Sequence, residues 1–100
     1  MNIQKSKTPR NFKLIEFRDY YENECSIQES SLAIEEAIWI GVDDANPQIL
    51  ESKIKEGGTG YVKYIVPEDV HFTTRMHLTR EQVKEILPFL KKFVKEGEIY

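Results

Sequence analysis

The sequence predicts an α+β fold: a small, mainly antiparallel sheet of about four strands packed on one long C-terminal helix. Three observations carry this prediction. A chain of 100 residues has room for one hydrophobic core. Four short runs rich in aromatic and branched residues are separated by turn-forming residues, which is typical of strands. The last quarter of the chain carries an apolar stripe at helical spacing.

The strands predict where polar side chains will lie. The four predicted strands are residues 12–20, 25–33, 37–42 and 61–66. Alternation along the second strand places Ser26, Gln28 and Ser30 on one face. In the third, Trp39 and Gly41 share the face opposite the isoleucines. A glycine beside a tryptophan inside a strand indicates that another group approaches the backbone closely.

The segments between the strands give weaker signals. Residues 1–11 are predicted to form a flexible basic arm, and residues 12–100 a single α+β domain. A hairpin turn is predicted at residues 21–24, where Asn23 tolerates a left-handed conformation. Residues 46–60 fit either short helical turns or a flexible glycine-containing loop, and the sequence leaves their structure open.

The helix has the clearest signals of all. It is predicted over residues 80–96, with Thr79 as N-cap, Gln82 completing a capping box and Gly97 ending it. Pro88 is expected to bend the helix without breaking it, because the apolar stripe continues in phase beyond it. We expect that stripe to be core packing.

Composition and charge limit the classes of function. The net charge is −3, with basic residues concentrated in 1–13 and 71–84 and acidic ones in 16–51, which argues against general DNA binding. No apolar run reaches the ~20 residues of a membrane span, and the polar N-terminus does not resemble a signal peptide. The single cysteine excludes an internal disulfide and a four-thiolate zinc site. A cytoplasmic location is therefore predicted, in a host cell if the gene is viral.

Catalytic and cofactor motifs are absent. There is no dinucleotide-binding, P-loop or metalloprotease pattern, and His71 and His77 have no third ligand at a suitable spacing. Ser30 or Ser31 with His77 could supply a nucleophile and a base, but no acid stands at a readable spacing to orient the histidine. The sequence therefore predicts a protein that is not an enzyme, with no cofactor and no metal.

Two groups of residues are the candidate ligand site. Arg75, His77, Thr79 and Arg80 surround the helix N-terminus, where unpaired backbone N–H groups favour an anion such as phosphate. The alternative is that Arg75 and Arg80 pair with the acidic region, and both interpretations stay open.

The second group is Ser26, Gln28 and Ser30 together with Trp39. Hydroxyls, an amide and an indole suit a small polar ligand with a flat ring. A polar strand face is also commonly just the solvent-facing side of a sheet.

The same stretches carry a family resemblance. Residues 24–44 contain Cys-Ser-Ile-Gln-Glu-Ser-Ser and a tryptophan-containing strand, and residues 74–94 contain Arg-Met-His-Leu-Thr-Arg-Glu-Gln. In wording these motifs resemble a widespread group of small uncharacterised phage and prophage proteins. The resemblance covers about two fifths of the chain and implies a viral context rather than a reaction.

These arguments lead to a phage-type binding protein that sequesters an anionic small ligand, such as a cyclic or modified nucleotide signal, to counter host defence. The alternative is a protein–protein inhibitor whose acidic region, residues 16–44, docks on a basic surface of a host defence protein. A homo-oligomer, with two-fold symmetry as the commonest case, is expected because so small a domain offers little concave surface of its own. The site is then expected at or near the subunit interface, with Arg75 and Arg80 facing Ser26, Gln28 and Ser30 of the same or the neighbouring chain.

Overall fold

The computed structural model describes all 100 residues and consists of two compact units. The first comprises residues 1–43 and 75–100, and the second is the inserted segment 44–74. The single domain predicted for residues 12–100 therefore carries an insertion with its own local contacts.

Strands and helices follow one another with few long connections. The first unit contains β1 (Gln4–Lys7), β2 (Lys13–Arg18), β3 (Glu24–Glu29), β4 (Ala37–Val42), β7 (Arg75–Thr79) and α1 (Arg80–Glu96). The second unit contains β5 (Gln48–Leu50), a short 3₁₀ helix (Glu51–Lys53) and β6 (Tyr61–Lys63).

The main sheet has five strands in the order β1-β2-β3-β4-β7, and each neighbouring pair is antiparallel. The second unit holds a separate antiparallel pair, β5 and β6. The predicted fold class, a mainly antiparallel sheet with one C-terminal helix, is confirmed. The composition of the sheet differs from the prediction, because only three of the four predicted strands belong to it.

The remaining two strands of the sheet, β1 and β7, form in segments for which the sequence predicts no strand. β1 forms within the segment predicted as a flexible arm, and all four of its residues are exposed, so no apolar alternation marks it. No strand is predicted for the segment that forms β7, although Met76 and Leu78 alternate there with Arg75, His77 and Thr79. Of the fourth predicted strand, 61–66, only residues 61–63 form a strand, β6. It pairs with β5, which lies in the segment whose structure the sequence does not decide.

The β2–β3 hairpin is organised by Asp19. Its carboxylate accepts hydrogen bonds from the backbone N–H groups of Tyr21 and Asn23, at 2.9 and 3.0 Å. The bond from Asn23 keeps the pKa of Asp19 below its ordinary value. Glu22, and not the predicted Asn23, takes the left-handed conformation with φ 66°. Asn23 donates to Asp19 through its backbone and its side chain, and the residue with positive φ is the one before it, Glu22.

The sheet is a single layer with one apolar face. Glu29 lies on that face beside Ile38. The apolar residues of the face are Ile15, Phe17, Cys25, Ile27, Ile38, Ile40, Val42, Met76 and Leu78. Only Cys25 among them is buried, at 5% exposure, and Met76 is 58% exposed. Desolvation raises the pKa of the Cys25 thiol above its ordinary value.

The helix forms as its sequence predicts. The Thr79 side chain accepts from the Gln82 backbone, the Gln82 side chain accepts from the Thr79 backbone, and Gly97 ends the helix in the left-handed region. The seventeen residues run through Pro88 without a break. None of the helices has the length and apolar character needed to cross a bilayer.

The packing of the helix is the main correction to the predicted fold. No residue of α1 is buried, and α1 approaches the sheet chiefly at β7, from which it continues directly. The apolar stripe predicted as core packing is largely exposed, with Leu90 at 54% and Phe93 at 56%. The cause is the junction, since Thr79 ends β7 and also caps α1, leaving no loop to turn the helix back over the sheet.

Candidate functional site

The opposite side of the main sheet gathers most of the residues predicted to bind a ligand. We call this side the polar face. Across β3, β4 and β7, Ser26 lies beside Gly41 and Gly41 beside Arg75, while Gln28 lies beside Trp39 and Trp39 beside His77. Ser30 follows on the same side of the chain after β3. The strand register thus brings together the two candidate groups, which are about 50 residues apart in the sequence.

Arg75 links the two groups directly. Its Nη1 donates to Gln28 Oε1 at 3.0 Å and to Ser26 Oγ at 3.3 Å. The Ser26 hydroxyl in turn donates to Asp43 Oδ1 at 2.5 Å. Ser26 is 2% exposed, and Arg75 is partly buried. These bonds fix the guanidinium against the sheet.

Gly41 makes this arrangement possible. β4 lies between β3 and β7, so the Arg75 side chain must cross β4 to reach Ser26 and Gln28. In the register, the residue between Ser26 and Arg75 is Gly41, which has no side chain to obstruct the crossing. Its φ of 150° is also one that other residues rarely adopt. The close approach predicted from the Trp39–Gly41 pattern fits the protein's own arginine.

An aromatic pair flanks the guanidinium. The rings of Trp39 and His77 stack with centroids 3.9 Å apart and an interplanar angle of 7°. Arg75 Cζ lies 5.8 Å from the Trp39 ring centroid, within the range of a cation–π interaction. A positive group and a stacked aromatic surface are therefore immediate neighbours.

His77 also contacts a hydroxyl, since its Nε2 lies 2.8 Å from Ser30 Oγ. This is the nucleophile–base distance that the sequence only suggested. However, no carboxylate bonds to His77, and the Ser30 backbone N–H is occupied by Ala37 O. The pair therefore has no orienting acid of the kind found in a serine hydrolase. The chain also has no group of three or more His, Cys, Asp and Glu residues that could hold a metal ion.

Two predicted site residues lie apart from this cluster. Arg80 Nη1 pairs with Glu36 Oε2 at 3.1 Å, and the Arg80 backbone N–H donates to Glu36 O. The Thr79 hydroxyl is engaged by the backbone N–H of Gln82. The expectation that the arginines pair with the acidic region therefore describes Arg80. It does not describe Arg75.

Arg75 is the one partly buried cation of the chain that makes no ion pair. The four ion pairs of the chain are Arg18–Glu24, Lys55–Glu51, Arg80–Glu36 and Lys92–Glu96. Both acceptors of Arg75 are neutral oxygens, and its Nε and Nη2 make no hydrogen bond within the chain. A half-buried guanidinium thus keeps its full charge and three N–H donors for another group.

The polar face is an open surface, on which His77 is exposed and Trp39 is partly so. A concave region of about 980 Å³ adjoins it at Ser30 and lies between residues 29–38 and the start of α1. Its lining includes four carboxylates, Glu29, Glu35, Glu36 and Glu81, against Arg80. This charge disfavours an anion there, so the helix start is a poorer anion site than the sequence suggested.

Sequence reasoning missed two contributors to the cluster. Asp43 is not among the predicted site residues, yet it accepts a hydrogen bond from the Ser26 hydroxyl. Gly41 is predicted as a point of close approach, but the sequence analysis does not identify Arg75 as the group that approaches it. The signal for this pairing is the alternation of Arg75 and His77 with Met76 and Leu78, which indicates a strand. Comparisons of the chain with protein-family models, curated proteins and solved structures found no match.

Proposed function

We propose that this protein binds an anionic small molecule that carries a flat ring, such as a cyclic or modified nucleotide, on the polar face of its main sheet. The observation that carries the proposal is the Arg75 guanidinium, which is held by two neutral acceptors and has no carboxylate partner. Anchoring by Ser26 and Gln28 leaves the opposite edge of the fork for the ligand. Because that fork is planar and fixed, it suits two phosphate oxygens at once.

The aromatic pair supports the ring-binding half of the proposal. A nucleobase can stack on the outer surface of the Trp39–His77 pair while its phosphate reaches Arg75, because Arg75 Cζ is only 5.8 Å from the Trp39 ring. Stacking of a base on an aromatic side chain contributes roughly 1–3 kcal/mol. The Ser30 hydroxyl beside His77 is a further polar contact for the ligand.

Binding without conversion is the favoured mode of action. The Ser30–His77 pair has no orienting acid, and the proposal assigns the Ser30 hydroxyl to contact with the ligand rather than to attack on it. With the resemblance to small phage proteins, the proposal becomes sequestration of a nucleotide signal that a host cell uses in defence. That context is an analogy, and the chemistry of the polar face stands apart from it.

Native mass spectrometry tests this proposal. The chain is incubated with a panel of linear and cyclic mononucleotides and dinucleotides, and the expected result is a complex with an unaltered ligand mass. Arg75→Gln should abolish the complex. Arg80→Gln is the matched control, because it removes the same charge from a residue paired with Glu36 and should leave the complex intact. No complex across the panel, or equal loss in both variants, would contradict the proposal.

A second candidate is a protein–protein inhibitor that uses the acidic region, residues 16–44. The supporting observation is the exposed loop after β3, where Leu32 and Ile34 are 40% and 88% exposed beside Glu35 and Glu36. Glu35→Lys with Ile34→Ser should then abolish recovery of one specific host partner in a pull-down. Binding of nucleotides should be unaffected by that double variant, which separates the two candidates.

A further inference from the structure

Two apolar surfaces of the first unit remain uncovered. One is the apolar face of the main sheet, of which only Cys25 is buried. The other is the apolar stripe of α1, which consists of Val83, Ile86, Leu87, Phe89, Leu90, Phe93 and Val94. Apart from Val83, every residue of the stripe is at least 39% exposed, and Val94 is 86% exposed. Stable domains pack at least two layers around a core, and here each layer lacks its partner.

The accessible surface of the whole chain sets an upper bound on the area that a partner can cover. The chain exposes 8930 Å² of accessible surface, whereas a folded monomer of 11.8 kDa exposes about 5,900 Å². The excess is about 3,000 Å² per chain. Obligate homodimers bury roughly 2,000–5,000 Å² in total over both subunits. The surplus therefore suffices for an interface of the obligate class.

The chain cannot remove this surplus by folding its helix onto its own sheet. A helix that covers the sheet beside its preceding strand needs a connection of a few residues to reverse its direction. Here Thr79 is both the last residue of β7 and the N-cap of α1, so no connecting residue exists. The capping box fixes that junction further, through two reciprocal hydrogen bonds.

We infer that the occupant of both surfaces is a second copy of this chain, in a two-fold dimer where the apolar stripe of each α1 packs on the apolar face of the partner's sheet. A second copy is favoured over a foreign partner because every chain carries both surfaces. A two-fold axis then covers all four at once, as closed symmetry requires. The dimer uses the side of the sheet opposite Arg75 and Trp39, so the polar face stays accessible. This inference does not depend on the proposed ligand.

Sedimentation equilibrium of the full chain is the first test. A dimer at micromolar concentration is expected, with a melting temperature that rises with protein concentration. Leu90→Glu, at the centre of the stripe, should weaken association at least 100-fold. Lys84→Gln makes the same change in charge on the opposite side of α1 and should leave the dimer intact. A compact monomer that melts independently of concentration would overturn the inference and point to a foreign partner.

Cross-linking keeps the test decisive if Leu90→Glu fails to fold. In a Cys25→Ser background, one preparation carries Val94→Cys and the other Met76→Cys, and the two are mixed and treated with a short bismaleimide. A heterodimer cross-linked between stripe and sheet is expected. Lys84→Cys mixed with Met76→Cys is the control and should cross-link far less. Equal yields from the two mixtures would show that the stripe does not lie on the partner's sheet.

Discussion

The two faces of the main sheet differ in what completes their contacts. On the polar face, side chains from β3, β4 and β7 bond to one another, and the Arg75 guanidinium is held by Gln28 and Ser26. On the apolar face, the branched and aromatic side chains touch their neighbours in the sheet but have no layer above them. One face is organised within a single chain. The other is completed only when something packs against it.

This difference separates specificity from stability. A hydrogen bond that involves a charged group contributes about 1.5–3 kcal/mol. Arg75 makes two such bonds, and their main effect is to orient its guanidinium. Burial of apolar surface contributes roughly 25 cal/mol per Å². Most of that stabilisation arises only when the apolar face and the stripe of α1 are covered. Changes on the apolar face should therefore alter stability, and changes on the polar face should alter ligand binding.

The largest expected effect is on the apolar face. Ile40 lies between Ile27 and Met76 at its centre. Ile40→Ala should lower the free energy of unfolding by about 2–5 kcal/mol, the cost of a cavity in a covered core. Urea unfolding at two protein concentrations measures it. Gln28→Ala, on the polar face, is the control and should cost about 1.5 kcal/mol, the lower end for a bond to a charged group, because Gln28 is only partly buried. Equal costs for the two variants would contradict the contrast between the faces.

A change at Gly41 should affect both stability and the site. Gly41→Ala places a methyl group where the Arg75 side chain crosses β4 and imposes a φ of 150° on alanine. A loss of more than about 1 kcal/mol is expected in thermal or urea unfolding. Ligand binding should fall as far as in Arg75→Ala, and the double variant should bind no worse than either single one. Additive losses in the double variant would mean that Gly41 does not act by making room for Arg75.

Two substitutions at the start of α1 should have smaller effects on stability and can be compared directly. Thr79→Ala removes the N-cap of the capping box and should cost about 1 kcal/mol. Arg80→Ala removes the neighbouring ion pair with Glu36, whose side chains are 79% and 76% exposed, and should cost less than about 0.5 kcal/mol. Thermal melts compare the two variants. A larger loss in Arg80→Ala would mean that the ion pair, and not the cap, holds the start of α1.

The smallest expected effect is at the β2–β3 hairpin and depends on pH. Because its pKa is lowered in the folded chain, Asp19 contributes stability above its unfolded pKa of about 3.9. That contribution is lost as the pH falls through the folded value. Wild type should melt above Asp19→Asn at pH 7, and the gap should narrow by about pH 3. A gap that is constant with pH would show that the ionised carboxylate does not stabilise the turn.

Local signals were enough to predict much of this fold. The Thr79–Gln82 capping box, the apolar stripe and Gly97 defined α1, and alternating side chains located β2, β3 and β4. β1 carries no apolar residue, so nothing local distinguishes it from a flexible segment, and only pairing with β2 creates it. The exposure of the stripe was also beyond local patterns, because a stripe looks the same whether its own sheet or a partner covers it.

The candidate site was predictable in its residues and not in its geometry. Ser26, Gln28, Ser30, Trp39, Arg75 and His77 were each named from the sequence, and the two groups were expected to face each other at or near a subunit interface. Strand pairing across β4 unites them, and pairing is a long-range property that alternation does not specify. Arg80 and Thr79 were grouped with Arg75 by closeness in sequence, although the turn from strand to helix directs Arg80 to Glu36.

The central claim, that Arg75 binds an anion beside a stacking surface, has a built-in reporter. Trp39 is the single tryptophan of the chain, so its fluorescence reports on this site alone. Titration with the nucleotide selected by mass spectrometry should quench Trp39 emission and saturate. Arg75→Lys, which keeps the charge but loses the planar fork, should weaken the apparent affinity at least 10-fold, whereas Arg80→Lys should leave it unchanged. An unquenched Trp39, or equal weakening by the two substitutions, would contradict the account.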